Sequence, residues 1–315
     1  MGGKKVLVYH PQQADVYKSL LEKTLPDADL LICHNEEELE KVVSETEIAF
    51  VSHTFPQSFF GKARNLRWVQ AMAAGVESFV GDAGRLKNVV LTRMVGVDAP
   101  YMAEYVLAYM LYLSQKIDRV AKAQKERRWD PFVTEFICKK TCGIMGLGAI
   151  GQVIAKRAKG MGMRVVSWDV VSRKLPFVDT EYEPEKMEDF LQECDYVVLI
   201  LPAIPGTLNL IGRDAFKAMK KQAYLINICR GALVDEVALV EALKQGQIAG
   251  AVLDVVKQEP LPPNSELWDC PNLIVSPHIS GPGLPEDMAE FFKMNFLKYL
   301  RGEPLQGVVD PARGY

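Results

Sequence analysis

The chain has 315 residues, of which 49% are hydrophobic and 24% charged, a composition typical of a globular protein large enough for two domains. Its net charge of -3 argues against the broad basic surface of a nucleic-acid-binding protein. No apolar run reaches the length of a membrane span, and the six cysteines show neither a CxxC motif nor zinc-ligand spacing. We therefore expect a cytoplasmic protein with reduced thiols and no bound metal.

The first third of the chain alternates short apolar segments with amphipathic ones. Strands are predicted at Val6–His10, Ala28–His34, Ile48–His53, Leu66–Met72 and Val89–Arg93, and helices at Asp15–Leu25 and Asn35–Ser44. Strands that alternate with helices indicate a parallel sheet with crossover helices. One long helix is then predicted over Ala99–Arg128, with Pro100 in the first turn, where proline is well tolerated.

A second series of strands begins at Thr141. The predicted strands are Thr141–Gly146, Met163–Asp169, Tyr196–Leu201, Ala223–Ile228, Ile248–Asp254 and Leu273–His278. The intervening helices are predicted at Ala149–Lys159, Glu185–Glu193, Arg213–Lys220 and Asp235–Gln245. Six strands joined by crossovers have the size of a complete dinucleotide-binding sheet.

The last predicted helix, Glu286–Leu300, follows this completed sheet, so we expect it to return to the first domain. The fold class is therefore α/β, with two doubly wound domains of parallel sheet. A Rossmann dinucleotide-binding domain is expected over residues 99–285, and a smaller flavodoxin-like substrate domain over residues 1–98 and 286–315.

The clearest motif is the glycine turn that joins the first two strands of the second series. Gly146 permits a tight turn, Gly148 lets the backbone approach a pyrophosphate, and Gly151 lets the helix pack against the strand. The N-terminus of the following helix favours phosphate binding. Asp169, at the end of the next strand, can accept both ribose hydroxyls of an adenosine. This sequence of strand, glycine turn, helix, strand and acid predicts dinucleotide binding.

Polar residues follow the other strands of the second series, at the sheet edge where ligands bind in such folds. Arg230 can bind a planar carboxylate through two hydrogen bonds, although a surface ion pair is the alternative. His278 is a candidate proton donor or a structural histidine. Glu259 can hydrogen-bond His278 and hold it protonated. Asp254 either receives a nicotinamide carboxamide or caps the following turn.

The first domain contains two candidate sites for an anion. Small residues from Ala73 to Val76 expose backbone N–H groups that can bind one, although a tight packed turn explains the same pattern. Arg93 ends another strand and is a second candidate.

These residues lie in motifs that resemble the D-isomer-specific 2-hydroxyacid dehydrogenase family over nearly the whole chain. The motifs are GIMGLGAIGQVIAKRAKGMGMRVVSWD, LPAIPGTLNLI, LINICRGALVDEVALVEAL, GAVLDVVKQEPLP and VSPHISG. Two further segments, LRWVQAMAAGVESF and RMVGVDAPYMAEYVLAYMLYL, are most similar to the glyoxylate/hydroxypyruvate reductase branch.

The resemblance implies reversible transfer of a hydride between NAD(P)H and a small 2-oxo acid, which gives the D-2-hydroxy acid. It implies catalytic roles for Arg230, Glu259 and His278, and substrate binding by Ala74, Gly75, Val76, Arg93 and Arg230. It also implies cofactor contacts from Ala149, Ile150, Asp169, Pro202, Thr207, Ile228, Cys229, Arg230, Asp254, His278 and Gly281. Family members are usually dimers built on the dinucleotide-binding domains, and Trp129 lies near a position from which some relatives reach the partner's active site.

The sequence leaves open which dinucleotide the protein uses and whether it is catalytically active. Asp169 favours NAD because its charge repels a 2′-phosphate, whereas Arg173 and its neighbours Ser172 and Lys174 can bind that phosphate, so NADP use is possible. Two alternatives use the same scaffold without turnover: an NAD(H)-sensing corepressor and an inactive interaction module. An enzyme that shares only the cofactor domain is disfavoured by the set Arg230, Glu259 and His278.

Overall fold

The computed structural model describes residues 3–76, 79 and 88–310. The chain divides into two compact units, one formed by residues 1–97 and 283–315 and the other by residues 98–282. Each unit is built on a single parallel sheet. The predicted class of two doubly wound α/β domains is confirmed. Within the described ranges, no helix combines the length and hydrophobicity that a membrane span requires.

The first unit has a five-stranded sheet in the order β2-β1-β3-β4-β5, the flavodoxin-like arrangement. Its strands are β1 (Lys4–Tyr9), β2 (Ala28–Cys33), β3 (Ile48–Val51), β4 (Trp68–Ala71) and β5 (Val90–Thr92). Its helices are α1 (Ala14–Glu22), α2 (Glu36–Val42) and α9 (Pro285–Leu300), with 3₁₀ turns at Val43–Glu45 and Gln57–Gly61. Helix α9 therefore belongs to the first unit.

Aromatic packing explains why α9 lies against this sheet. Phe292 stacks on Phe50 of β3 with ring centroids 4.5 Å apart and on Trp68 of β4 at 5.3 Å. All three side chains are fully buried, and burial of such rings is among the largest contributions to core stability. Helix α9 therefore covers one face of the sheet although it is more than 200 residues away from β3 and β4.

The second unit has a seven-stranded parallel sheet in the order β12-β11-β10-β9-β6-β7-β8. Its strands are β6 (Thr141–Met145), β7 (Arg164–Trp168), β8 (Thr180–Tyr182), β9 (Tyr196–Leu199), β10 (Tyr224–Asn227), β11 (Gly250–Leu253) and β12 (Leu273–Val275). This is the Rossmann order extended by one strand, with its switch point between β6 and β9. The prediction of six strands was wrong, because the three residues of β8 are too few to show a strand pattern.

Six helices surround this sheet. They are α3 (Ala99–Gln115), α4 (Ile117–Lys125), α5 (Ala149–Gly160), α6 (Met187–Glu193), α7 (Arg213–Ala218) and α8 (Glu236–Lys244). Short 3₁₀ turns lie at Ile137–Lys139, Pro184–Lys186, Gly231–Leu233 and Glu266–Asp269.

The single long helix predicted over Ala99–Arg128 is two helices. Lys116 has φ of 51°, and its N–H donates to the carbonyls of Tyr112 and Leu113, which closes α3 before α4 begins. A left-handed residue commonly ends a helix, but it is usually glycine or asparagine. Because lysine gives no such signal, the sequence did not indicate the break.

Candidate active site

The glycine turn joins the end of β6 to α5, at the switch point of the second sheet. Gly146 has φ of 101°, and its N–H donates to the carbonyl of Trp168 at 2.9 Å. A Cβ at Gly146 would lie 2.4 Å from the carbonyl oxygen of Ile200, and one at Gly151 would lie 2.1 Å from the carbonyl oxygen of Gly146. Both glycines are therefore required by the fold itself, since side chains cannot approach backbone so closely.

Gly148 is different, because its φ of -69° suits any residue and a Cβ there would meet no atom of the described residues within 4 Å. Gly148 precedes α5, and no side chain caps the N-terminus of this helix. The N–H groups of the first turn, beginning at Ala149 and Ile150, therefore donate to no capping side chain. Open space beside free N–H groups and a positive helix end fits the pyrophosphate of a dinucleotide. The residues present therefore fit the cofactor that the motif predicts.

Substitution of Gly148 with alanine tests this fit. We expect the Kd for NADH to rise about tenfold or more, because the new methyl group takes the space of the pyrophosphate. The Tm is expected to stay within about 4 °C of wild type, since the protein itself leaves the position open. The matched control is Gly160→Ala at the other end of α5, which also meets no atom within 4 Å. Unchanged NADH affinity in Gly148→Ala, measured by fluorescence titration, contradicts the assignment.

Asp169 follows β7 and lies against the glycine turn. Its Oδ2 accepts a hydrogen bond from the N–H of Leu147 at 2.6 Å, and its Oδ1 accepts one from Val171 at 3.1 Å. The Arg173 Nε donates to the carbonyl oxygen of Leu147 at 2.7 Å. Asp169 and Arg173, the two residues on which the choice between NAD and NADP was predicted to depend, therefore both contact Leu147 of the turn.

Glu181, in β8, holds the loop that carries Arg173, and sequence reasoning missed it. Its carboxylate accepts hydrogen bonds from the N–H groups of Arg173 and Lys174 and from the Ser172 hydroxyl. The N–H of Lys174 lies 2.7 Å from Oε1. The unpredicted strand β8 thus supplies the residue that fixes this loop.

The loop after β9 is closed by Thr207. Its hydroxyl donates to the carbonyl oxygen of Pro202 at 2.6 Å and accepts from the N–H of Ile204 at 3.0 Å. Nearby, the Cys229 thiol donates to the carbonyl oxygen of Leu201. The ends of β9 and β10 are therefore tied together beside the switch point, with Ile228 buried beneath them.

Arg230 follows β10 in a loop held by Asn227, which is fully buried and was not predicted as a site residue. The Asn227 amide donates to the carbonyl oxygen of Arg230 at 2.9 Å and accepts from the N–H of Cys229 at 3.1 Å. The Arg230 Nη1 donates to the carbonyl oxygen of Cys229 at 2.7 Å. A Cβ on Gly231 would lie 2.0 Å from the carbonyl carbon of Val256, so the loop bearing Arg230 packs directly on the segment that leads to Glu259.

His278 and Glu259 form a hydrogen-bonded pair. The His278 Nδ1 lies 2.8 Å from Glu259 Oε2, and the side chains are 50% and 37% exposed. Glu259 Oε1 accepts the N–H of Val256 at 3.1 Å, which orients the carboxylate. Because Nδ1 faces the carboxylate, the other ring nitrogen, Nε2, is the one left to exchange a proton with a substrate.

Asp254 lies beneath this pair with 1% of its surface exposed. Its carboxylate accepts hydrogen bonds from Ser276, Ile279 and Ser280, so it holds the turn after β12, which lies 22 to 26 positions further along the chain than Asp254. Gly281 comes next, and a Cβ there would lie 3.4 Å from Asp98 at the start of α3.

The candidate anion sites of the first unit lie at the ends of β4 and β5. Arg93 Nη1 donates to the carbonyl oxygen of Ala74 at 3.3 Å, and the N–H of Met94 donates to Ala73. The carbonyl oxygen of Val76 accepts a hydrogen bond from the N–H of Phe79 at 2.8 Å. Ala74 is exposed and Gly75 is half-buried. The two predicted anion sites of this unit are therefore in direct contact.

The second unit thus combines a nucleotide-binding turn with an arginine and a histidine–glutamate pair on following strand ends. Among the residues that the structure describes, no group of three histidine, cysteine or acidic side chains could hold a metal ion. An organic cofactor, an anion-binding cation and a proton donor are together suited to reduction of a carbonyl acid. These features define a nucleotide-dependent oxidoreductase of the Rossmann class.

Comparison with known proteins identifies the family. Residues 107–280 match the family model described as D-isomer specific 2-hydroxyacid dehydrogenase, NAD binding domain. A glyoxylate reductase of Pyrococcus horikoshii is 34% identical over 91% of this chain and 93% of its own. The chain belongs to the D-isomer specific 2-hydroxyacid dehydrogenase family and is an NAD(P)-dependent enzyme of that kind.

Solved structures agree with this assignment. A D-isomer specific 2-hydroxyacid dehydrogenase from Xanthobacter autotrophicus, in complex with NADPH and MES, is 32% identical with a TM-score of 0.90, and the match covers 100% of both chains. An NADPH-dependent glyoxylate/hydroxypyruvate reductase from Sinorhizobium meliloti, in complex with NADP and sulfate, is 27% identical with a TM-score of 0.89 over 99% of this chain and 100% of its own. The names of these relatives support an active dehydrogenase, and they do not support the two alternatives without turnover, the NAD(H)-sensing corepressor and the inactive interaction module.

Proposed function

We propose that the enzyme reduces glyoxylate, hydroxypyruvate or a similarly small 2-oxo acid to the D-2-hydroxy acid, reversibly, with NADH as the preferred donor. The observation that carries the proposal is the His278–Glu259 pair at 2.8 Å, on the same sheet edge as Arg230 and the glycine turn. Relatives named glyoxylate reductase and glyoxylate/hydroxypyruvate reductase support the substrate class.

Arg230 binds the substrate carboxylate through its guanidinium and stabilises negative charge as it develops on the carbonyl oxygen. In the first unit, the backbone N–H groups of Ala74, Gly75 and Val76 are the proposed anion-binding groups, and Arg93 supports that loop through Ala74. Protonated His278 donates its Nε2 proton to the carbonyl oxygen, while Glu259 keeps the ring oriented and charged. A bound reduced nicotinamide supplies the hydride to the carbonyl carbon.

The cofactor is held by residues of the second unit. The N–H groups at Ala149 and Ile150 bind the pyrophosphate and Asp169 accepts the ribose hydroxyls. Pro202, Thr207 and the backbone from Ile228 to Arg230 line the rest of the cofactor site, together with Asp254 and Gly281. Asp169 makes NADH the preferred donor, whereas Arg173 allows NADPH as a weaker one.

A spectrophotometric panel of 2-oxo acids tests the proposal, with NADH and NADPH as donors. We expect turnover of glyoxylate and hydroxypyruvate with NADH, weaker turnover with NADPH, and a D-configured product from hydroxypyruvate. Bulkier acids such as phenylpyruvate form the comparison. Binding of NADH without reduction of any acid contradicts the assigned activity, and a higher kcat/KM with NADPH contradicts the assigned donor.

We further propose that the enzyme is a cytoplasmic homodimer joined through the second units. Large apolar side chains are exposed between residues 111 and 136: Leu111, Ile117, Val120, Trp129, Val133 and Phe136. Trp129 is 96% exposed, and solvent-exposed apolar groups of this size commonly mark an interface. The six cysteines are all free thiols, as a reducing compartment requires. Sedimentation equilibrium that gives a monomer mass contradicts the dimer.

A further inference from the structure

A chain of hydrogen bonds joins α3 to the turn that carries His278. The Tyr105 hydroxyl, on α3, is hydrogen-bonded to the hydroxyl of Ser276, and Ser276 Oγ lies 2.6 Å from Asp254 Oδ1. Ser276 is 7% exposed and Asp254 is 1% exposed. Satisfied polar groups in such a dry environment hold their geometry firmly, because any broken bond leaves a buried group unpaired.

The direction of each bond follows from the number of hydrogens available. Both Asp254 oxygens already accept backbone N–H groups, so the carboxylate acts as an acceptor for Ser276. Ser276 has one hydroxyl proton and gives it to Asp254. Tyr105 must therefore donate to Ser276. Burial raises the pKa of Tyr105, so the phenol keeps the proton that this bond needs.

The turn that Asp254 holds has an unfavourable backbone conformation. His278 has φ of 56°, a left-handed conformation that is uncommon for residues other than glycine, although histidine, asparagine and aspartate adopt it more often than most. Three bonds to Asp254 maintain it: His278 N–H to the carbonyl oxygen, Ile279 N–H to Oδ1 and Ser280 N–H to Oδ2, each at 2.9 Å. Strained backbone persists only where its surroundings fix it, and here the fixing groups are the carboxylate and the backbone carbonyl of one residue, Asp254.

We propose that Tyr105 and Ser276 are positioning residues for His278, which act by fixing the Asp254 carboxylate that holds the strained turn. This inference rests on the proposed role of His278 as the proton donor. The turn sets where the imidazole meets Glu259, so a shift in the carboxylate moves Nε2 relative to the substrate. Such small displacements of a catalytic group reduce turnover strongly and need not alter ligand binding.

Two variants test the proposal, Ser276→Ala and Tyr105→Phe. We expect kcat to fall about tenfold or more in Ser276→Ala and about threefold or more in Tyr105→Phe. The KM for the 2-oxo acid is expected to stay within about twofold of wild type. Ser276→Thr keeps the hydroxyl that Ser276→Ala removes, so its kcat should stay close to that of wild type. The matched control is Tyr112→Phe, a tyrosine on the same helix that makes no hydrogen bond to the turn.

Hydrogen exchange at Ile279 and Ser280 gives a readout of the turn that does not depend on turnover. Faster exchange of these amides in Ser276→Ala and Tyr105→Phe, but not in Tyr112→Phe, is the expected result. Wild-type kcat with wild-type exchange in both variants overturns the inference. His278→Ala is measured alongside. If His278→Ala retains full activity, the proposed function fails. If it is inactive while Ser276→Ala and Tyr105→Phe remain fully active, only the positioning role of Ser276 and Tyr105 fails.

Discussion

Replacement of His278 by alanine is expected to reduce kcat for 2-oxo acid reduction by about 10²–10⁴-fold, the usual contribution of a general acid. The ring Nε2 would otherwise protonate the carbonyl oxygen as the hydride arrives. NADH affinity should remain within about twofold of wild type, because the glycine turn and Asp169 are unchanged. Stopped-flow measurement of NADH oxidation, with a separate NADH titration, separates these two effects. A kcat within threefold of wild type contradicts the role of His278.

Glu259→Gln is the companion to this substitution. Glutamine has nearly the same shape and can still hydrogen-bond His278, but it removes the negative charge that favours the imidazolium. We expect kcat for reduction to fall, since the charged partner that orients the protonated ring through Nδ1 has become neutral. A kcat equal to that of wild type contradicts the charge-based role of Glu259, whatever the result for His278.

Arg230→Ala is expected to impair both binding and turnover. The loss of a charged hydrogen-bonding partner for the carboxylate should raise KM by about 10–100-fold, corresponding to ~1.5–3 kcal/mol. The loss of its charge beside the carbonyl oxygen should lower kcat by about 10²-fold or more. Steady-state kinetics with glyoxylate measure both KM and kcat. Unchanged kcat and KM would show that Arg230 is an ordinary surface cation.

Two further arginine variants sharpen this experiment. Arg230→Lys keeps the charge but not the planar fork, so it should recover only part of the activity. Arg213→Ala removes an exposed arginine that pairs with Glu241 on a neighbouring helix of the same unit, and activity should be unaffected. Equal losses in Arg213→Ala and Arg230→Ala would mean that loss of surface charge, rather than of a specific contact, reduces activity.

Much of the fold could be predicted because strands buried on both faces are apolar over their whole length. The predicted strands correspond to β1–β7 and β9–β12; all but β1, which begins two residues earlier than predicted, are shorter in the structure. The strand β8 was missed because Thr180–Tyr182 is short and only half-buried. The helix break at Lys116 was missed because its left-handed backbone conformation is usually adopted by glycine or asparagine, so a lysine does not indicate it.

The candidate site was predictable to a smaller extent. Residues at strand ends, such as Arg230 and His278, could be named because the carboxyl ends of parallel strands share one edge. The tertiary contacts that hold the His278 turn could not: Tyr105 is hydrogen-bonded to Ser276, 171 positions away, and Ser276 to Asp254. Asn227 holds the Arg230 loop through local hydrogen bonds, and no hydrophobic periodicity marks either kind of supporting group.

The sequence by itself determined the strand–helix alternation, the glycine turn and the order of functional residues along the chain. These depend on burial and local backbone conformation, which each short segment encodes in its own residues. Only the tertiary structure decided that Glu259 meets His278 and that Asp254 holds the strained turn between Ser276 and Ser280. Those contacts join residues 19 to 26 positions apart, and side chains so separated meet only when the sheet has brought its strand ends together.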